Sequence, residues 1–187
     1  MKRTLILAAL AVASNAFAAA ETYIIEPTHT LPRFEYNHLG YSQQLSRFDK
    51  TSGKIVLDRA AHTGSVEVTI DATSVNSGVD MFNKHLQGPD FFDAEAYPTI
   101  TYKSSKLVFD KDNLVAVEGE LTLKGVTKPV TLTVTSFKCA MHPMRKKEAC
   151  GATATAKVKR SDFNMGKYVP AVSDEVTLTL PVEALKE

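Results

Sequence analysis

The residues of this sequence that could bind a metal ion are three separated histidines and one sulfur-rich segment. Residues 139–144 read Cys-Ala-Met-His-Pro-Met, and thiol, thioether and imidazole groups together suit copper(I). The basic residues 145–147 that follow would repel a cation, and a disulfide would consume the thiol. His29, His38 and His85 fall on different segments and do not form a compact ligand motif. We therefore predict hydrogen-bonded histidines near the rim of the domain and no metal site.

Motifs for catalysis are absent from the sequence. It contains no Gly-x-Ser-x-Gly nucleophile elbow and no glycine-rich phosphate loop. The two cysteines are better explained as partners of each other than as a nucleophile. Because Asp and Glu are scattered over polar faces, the sequence favours a protein that is not an enzyme.

The first residues have the three parts of a secretory signal. Met-Lys-Arg is followed by an apolar run and by an Ala-x-Ala ending at residues 16–18. The run is shorter than the roughly 20 residues of a membrane span, which disfavours a retained anchor. We predict a signal peptide over residues 1–18, with cleavage after Ala18 or Ala20, and a periplasmic domain over residues 19–187. Two cysteines in an oxidising compartment then predict a Cys139–Cys150 disulfide.

Alternation of apolar and polar residues dominates the rest of the chain and predicts antiparallel strands. Short polar turns separate the strands, as at residues 62–64, 110–113 and 124–125. Eight or nine strands at this spacing indicate a barrel or a sandwich. The predicted strands are residues 22–25, 33–38, 54–57, 65–71, 100–109, 115–123, 130–137, 152–159 and 175–180.

One segment departs from alternation and predicts a helix. Between residues 77 and 86, Val79, Phe82 and Leu86 recur at helical spacing. Ser77 is the expected N-cap, and Gly88-Pro89 is expected to end the helix. Residues 90–93 are expected to form another short helical turn. The aromatic residues concentrated in the first half of the chain fit either an ordinary packed core or the wall of a ligand cavity.

Seven blocks of sequence are distributed over essentially the whole chain after the signal. They are Glu-Pro-Thr-His-Thr at residues 26–30, Phe-Glu-Tyr-Asn-His-Leu-Gly at 34–40, Asn-Lys-His-Leu at 83–86, Asp-Phe-Phe-Asp at 90–93, Tyr-Pro-Thr-Ile-Thr-Tyr at 97–102, Gly-Glu-Leu-Thr-Leu-Lys-Gly-Val-Thr-Lys-Pro-Val at 119–130 and Arg-Ser-Asp-Phe-Asn-Met at 160–165. Each block alone is unspecific, but together and in this order they are hard to obtain by chance. The set resembles the YceI-like family of exported bacterial proteins.

The resemblance implies a fold and a class of ligand. The fold is all-β, an extended antiparallel eight-stranded lipocalin-like barrel with a short helical segment around residues 77–93 and a long apolar tunnel. Members of the family bind polyisoprenoid chains, quinone-like or prenyl-phosphate lipids, and sometimes long-chain amides. The family implies no catalytic residues and no cofactor besides the bound lipid.

The resemblance also suggests which residues bind the lipid. Phe82-Asn83 stands where many relatives have Arg-Asp, which favours a neutral head group such as a quinone over a prenyl phosphate. The segment between the cysteines is either a lip over the barrel mouth or a long hairpin. The residues expected to line or close the tunnel are Phe34, Tyr36, Phe82, Leu86, Phe91, Phe92 and Phe163, and those expected at its mouth are His38, Asn83, Lys84 and His85. Leu39 and Phe48 are expected to bind the lipid as well.

The expected function is a periplasmic binding or carrier protein for an isoprenoid-type lipid, with a link to envelope stress as a further expectation. A membrane-bound enzyme or a quinone-using protein is an expected partner, and a homodimer stays open. No stretch after the signal is strongly basic, so the sequence does not indicate nucleic-acid binding. The alternatives are a metal-binding stress protein that uses the Cys-Met-His segment and an enzyme that acts on an isoprenoid lipid.

Overall fold

The computed structural model describes residues 20–187 of the chain. The predicted signal peptide lies outside the described residues. Within them, no helix combines the length and apolar character that a membrane crossing would need. The described chain consists mostly of strands with one short α-helix.

The strands follow the alternation of the sequence closely. In β2, for example, Phe34 and Tyr36 are buried, whereas Arg33 and Glu35 between them are exposed. The strands are β1 (Glu21–Ile25), β2 (Arg33–His38), β3 (Ser42–Phe48), β4 (Thr51–Asp58), β5 (Thr63–Asp71), β6 (Val75–Asn76), β7 (Thr99–Asp110), β8 (Asn113–Leu123), β9 (Val126–Met141), β10 (Glu148–Lys159) and β11 (Glu175–Lys186).

Eight of these strands close into an antiparallel barrel. Their order is β1-β4-β5-β7-β8-β9-β10-β11, and β11 pairs again with β1. The longest of the pairings, β10 with β11, runs from Ala149↔Leu185 to Lys159↔Glu175. At roughly 3.3 Å per residue this is about 33 Å of paired strand, or about 25 Å along the axis of a barrel with ordinary strand tilt. The predicted eight-stranded barrel is confirmed.

The remaining strands extend the sheet beside the barrel. β2 pairs with the first half of β11, β3 pairs with β2, and the short β6 pairs with the end of β3. The sequence did not predict β3, because its outward residues are polar and Ser46 and Phe48 are its only buried residues.

The two ends of the barrel differ in construction. At one end, which we call the helix end, lie the α-helix, the 3-10 turn Arg160–Phe163 and the turn between β2 and β3. At the other, which we call the hairpin end, the chain turns after β4, β7 and β9. Cys139 and Cys150 are register partners on β9 and β10 near the hairpin end, and they form the predicted disulfide.

The helix is shorter than predicted and begins later. Helix α1 spans Asp80–Gln87, and its N-cap is Val79, which makes no side-chain capping bond. Ser77 is not the cap, because its N–H and hydroxyl both donate to the Asn83 Oδ1 atom at 2.7 Å. Gly88 ends the helix as predicted. Residues 90–93, expected to be helical, form turns instead.

Candidate ligand-binding cavity

The barrel encloses a large apolar cavity. Its volume, counted with the open space at its mouth, is about 1810 Å³. Every barrel strand except β1 contributes to the wall, chiefly through aliphatic side chains. Representative members are Ile55 and Leu57 from β4, Val66 and Ile70 from β5, Leu121 and Leu123 from β8, Leu132 and Val134 from β9, and Leu178 and Leu180 from β11.

The alternation of each strand explains this wall. Successive residues of a strand point to opposite faces, so the apolar set of each barrel strand turns inward together. Several inward side chains, such as Val66, Val134 and Leu178, are only half-buried. They face open space rather than side chains of the opposite wall. The interior is therefore a cavity rather than a packed core.

An aromatic cluster narrows the cavity towards the helix end. The ring of Phe34 lies 5.6 Å from that of Phe48 and 5.5 Å from that of Phe92, measured between centroids. Phe48 and Phe92 complete the triangle at 5.2 Å. Leu86 of α1 and the neighbouring Phe91 also line the cavity. The helix and the turns after it therefore supply the apolar wall at this end.

The segment after α1 is tied to the turn that follows β10. The Lys124 Nζ atom donates to the carbonyl oxygens of Pro89 at 2.5 Å and Asn164 at 3.1 Å. Lys167 forms an ion pair of 2.6 Å with Asp90. These contacts fix the turns after α1 in place at the helix end of the barrel.

Tyr102 places a polar atom in the wall, but its hydroxyl is fully used. It donates within 2.9 Å of the carbonyl oxygens of both Val117 and Val130. Burial and the nearby Glu118 carboxylate raise the pKa of this phenol to about 12. A Cβ atom at Gly119 would lie 2.6 Å from the hydroxyl oxygen, so the glycine makes room for the ring. Tyr102 therefore acts as a structural element of the wall.

Tyr36 and Arg160 bring further polar groups to the wall at the helix end. Arg160 is buried, with 5% of its surface exposed, and its guanidinium donates to the carbonyl oxygens of Met165, Lys167, Val172 and Ser173. Burial lowers the pKa of Arg160 from its usual value, and the Asp174 and Tyr36 charges oppose that shift. Burial raises the pKa of the Tyr36 phenol, while Arg160 acts in the opposite direction. An arginine so placed stays charged at neutral pH.

The structure brings six of the predicted lipid-binding residues together on the cavity wall. Their inward position agrees with the prediction, and their contact with a lipid stays a prediction. They are Phe34, Tyr36, Phe48, Leu86, Phe91 and Phe92.

The predicted mouth residues lie at the helix end but outside the cavity wall. His38, Lys84 and His85 are exposed, and so is Leu39, another of the predicted lipid-binding residues. The ring of His85 lies 5.0 Å from that of Phe91, which itself lines the cavity. Asn83 has a structural task, since its side-chain oxygen accepts both hydrogen bonds from Ser77.

Phe82 and Phe163, which were expected to line or close the tunnel, are not part of the cavity wall. Phe82 is half-buried and stacks on His85 at 6.0 Å. Phe163, the last residue of the 3-10 turn Arg160–Phe163, is 2% exposed and belongs to the hydrophobic core. The chain leaves the inward-facing register of β10 at this turn.

Sequence reasoning missed Arg160 and Thr51, which both line the cavity. Ala152, Ala154 and Val158 of β10 line it too, so continuing their alternation by one step would have placed Arg160 inward. Thr51 stands in the same register as Ile55 and Leu57, but the predicted strand began only at residue 54. In both cases the alternation of inward and outward residues along the strand, continued to the polar residue at the strand end, would have identified the residue.

Among the described residues, groups of side chains that could bind a metal ion occur in two places, and of His29, His38 and His85 only His29 belongs to one. The Glu26, His29 and Glu183 side chains approach within 4.8 Å of one another, but His29 and Glu183 are exposed. The Glu26 carboxylate is engaged by the backbone N–H groups of Thr28 and His29 and by both of their side chains. The sulfur atoms of Cys139 and Cys150 are joined to each other. The thiol that the copper hypothesis needs is therefore consumed.

Comparison with known proteins identifies the family of this barrel. A family model described as the YceI-like domain matches residues 23–184. This chain belongs to the YceI-like family. A UPF0312 protein of Vibrio cholerae is 35% identical to it over 192 residues, which cover all of both chains.

Solved structures agree with the YceI-like barrel. BcnA of Burkholderia cenocepacia superposes with a TM-score of 0.74 at 28% identity, over 86% of this chain and 99% of BcnA. A structure described as a polyisoprenoid binding domain from Saccharophagus degradans has a TM-score of 0.67 at 20% identity, over 88% of this chain and 98% of that domain. At that identity the second comparison shows the fold.

The geometry of this YceI-like barrel can sequester a long apolar chain. An apolar ligand gains about 0.8 kcal/mol for each CH₂ group that it removes from water. Because the wall carries few polar atoms, most of the ligand must be hydrocarbon. The length of the barrel favours an extended molecule over a compact one.

Proposed function

We propose that this protein binds a long-chain apolar lipid of the polyisoprenoid type inside its barrel and carries it through the periplasm. The observation that carries the proposal is the apolar cavity inside the closed barrel, whose wall is built from inward side chains of seven barrel strands. A packed core would be more stable than an open one, because each void forfeits contacts. An apolar cavity in this position is therefore best explained by a ligand that fills it.

Family membership and the fold support the same ligand class. The Saccharophagus degradans domain, described as binding polyisoprenoids, shares the barrel. We infer binding rather than catalysis, because the cavity wall is aliphatic and aromatic and its polar groups are few. An enzyme acting on the lipid would need a titratable group at the reacting atoms.

The carrier role rests on the surface of the helix end. Tyr41 in the turn between β2 and β3 is 87% exposed, and Met81 at the start of α1 is 80% exposed. Leu39 and Val79 beside them are exposed as well. Apolar side chains around one end of a lipid cavity favour contact with a membrane surface during loading and release. Export through the predicted signal peptide supports the location.

Blocking the cavity tests the binding function. Val134 faces the interior from the middle of β9, whereas its neighbour Thr133 is exposed on the outer face. We expect Val134→Trp to weaken binding of a long-chain polyprenol by about tenfold, because the indole excludes several methylene contacts. Thr133→Trp is the matched control and should bind as the wild type does. Equal binding by both variants would show that the lipid lies outside the barrel.

A transfer assay tests the carrier role. The mature protein is mixed with donor vesicles that hold a fluorescent polyprenol and with acceptor vesicles that lack it. We expect the protein to accelerate transfer and Tyr41→Ser with Met81→Ser to slow it, with polyprenol affinity unchanged. Transfer at the rate without protein would contradict the carrier role and leave the binding function standing.

A further inference from the structure

Two buried hydroxyls in the cavity wall lack a hydrogen-bond partner. Among residues 20–187, the Tyr36 hydroxyl and the Thr51 Oγ1 atom are the buried side-chain polar atoms in this condition. Tyr36 is 7% exposed and Thr51 is 5% exposed. Both residues line the cavity. A buried polar atom without a partner is costly and calls for an explanation.

The same wall shows that an inward tyrosine can be satisfied by the protein alone. The Tyr102 hydroxyl donates to two backbone carbonyl oxygens, Val117 and Val130. Thr30, another buried residue of the wall, donates its hydroxyl to the Glu183 carbonyl oxygen and accepts from the Glu183 N–H. The unpartnered state of Tyr36 and Thr51 is therefore a property of these two positions and not of hydroxyls in this barrel.

A charged donor stands beside Tyr36. A guanidinium has five N–H donors, and four of those of Arg160 are taken by backbone carbonyl oxygens. Within the described chain, the Arg160 side chain has no carboxylate within 4.0 Å in an ion pair. One N–H donor of Arg160 therefore has no acceptor among the described residues, and Arg160 is a residue of the cavity wall. The site has donors in excess and lacks an acceptor.

The three residues lie in the same half of the barrel. Tyr36 and Arg160 are at the helix end, and Thr51 pairs with Ile70, next to the turn at residues 72–74 that belongs to the same end. The Phe34 ring lies 6.2 Å from the Tyr36 ring and 5.6 Å from that of Phe48, which precedes Thr51 by three residues. The Tyr36 ring therefore adjoins the aromatic cluster, and Thr51 follows one of its members closely along the chain.

We propose that Tyr36, Thr51 and Arg160 form a head-group site that binds a carbonyl oxygen of the lipid inside the barrel. In the bound state the polar head group of the ligand lies near the helix end of the barrel, and its hydrocarbon tail extends towards the hairpin end. The site offers two hydroxyls and one N–H, which match one or two carbonyl oxygens of a ketone, amide or quinone ring. A phosphate ester presents several charged oxygens and would need more donors than these. This proposal rests on the proposed function and specifies the chemistry of its ligand.

A matched pair of ligands tests the head-group site. The probes are a long-chain methyl ketone and the alkane of the same carbon number, delivered from cyclodextrin to lipid-stripped protein. Net gain from a hydrogen bond corresponds to about 5- to 10-fold in affinity. We expect the wild type to prefer the ketone by about this factor. We expect Tyr36→Phe combined with Thr51→Val to abolish the preference and to bind the alkane unchanged.

Tyr102→Phe is the matched control, because it removes an inward hydroxyl that the protein already satisfies. This variant should keep the preference for the ketone. If circular dichroism shows that the double variant is poorly folded, the ketone preference is measured with Thr51→Val alone. An equal affinity of the wild type for ketone and alkane, or a preference that survives in the double variant, would overturn the head-group site.

The outcomes separate this proposal from the proposed function. If neither probe binds, both proposals fail. If both probes bind equally, lipid binding stands and the head-group site is wrong. A prenyl phosphate of similar chain length is the third probe. Tighter binding of the phosphate than of the ketone would overturn the assigned head-group chemistry.

Discussion

Removing the Tyr36 hydroxyl should stabilise the lipid-free protein. The hydroxyl is buried and has no partner, and an unsatisfied buried group costs about 1–3 kcal/mol. Tyr36→Phe keeps the ring that packs near Phe34 and removes only that atom. We expect the free energy of unfolding to rise by about 1 kcal/mol, which corresponds to a rise of roughly 2–4 °C in Tm for a domain of this size.

We expect Tyr102→Phe, in contrast, to lower the free energy of unfolding. That substitution leaves the Val117 and Val130 carbonyl oxygens without their hydroxyl donor. A typical hydrogen bond contributes about 0.5–1.5 kcal/mol net, so the variant should lose about 1 kcal/mol. Urea unfolding of lipid-stripped protein, followed by circular dichroism, measures both variants under the same conditions. A loss of stability in Tyr36→Phe equal to that in Tyr102→Phe would refute the reasoning, because it would mean that the Tyr36 hydroxyl has a partner in the protein.

Two further predictions concern stability. Burial tends to raise the pKa of the Glu26 carboxyl, but hydrogen bonds from the following turn outweigh it and lower the pKa to about 2, against an ordinary 4.5. The stabilisation is therefore complete above about pH 4.5 and is lost as the pH falls towards 2, so Glu26→Gln should flatten the acid limb of a pH–Tm profile. Gly119→Ala would put a Cβ atom 2.5 Å from the Lys103 carbonyl oxygen and 2.6 Å from the Tyr102 hydroxyl, and we expect a loss of about 1–3 kcal/mol in urea unfolding. Gly151→Ala is its control, because the nearest atom would lie at 3.5 Å and the strand should be unharmed; equal losses in both variants would contradict this explanation.

The sequence predicted the strands wherever one face is apolar. β2 has its predicted bounds, Arg33–His38, because Phe34 and Tyr36 alternate with polar residues. β3 escaped prediction, because a strand beside the barrel needs few apolar residues. The helix start was misplaced, because the N-cap is Val79, and Ser77, two residues earlier, donates its hydroxyl to the Asn83 side chain.

The candidate site was predictable in part. Inward aromatic residues such as Phe34 and Phe92 follow from strand pattern and family resemblance, and they lie on the cavity wall. No residue pattern shows whether inward side chains meet across a barrel or leave a cavity, since this depends on strand number and shear. The free donors at Tyr36, Thr51 and Arg160 depend on which backbone carbonyls come near them. Only the folded arrangement determines that.

The most direct test of the central claim is native mass spectrometry of the protein, expressed from its full sequence in a bacterial host and purified without added lipid. We predict a mass excess of one lipid molecule per chain, released by organic solvent as a long apolar chain with a carbonyl-bearing head group. Val134→Trp should carry less of it than Thr133→Trp. A wild-type protein with the mass of the bare polypeptide, and no lipid in its solvent extract, would contradict the account.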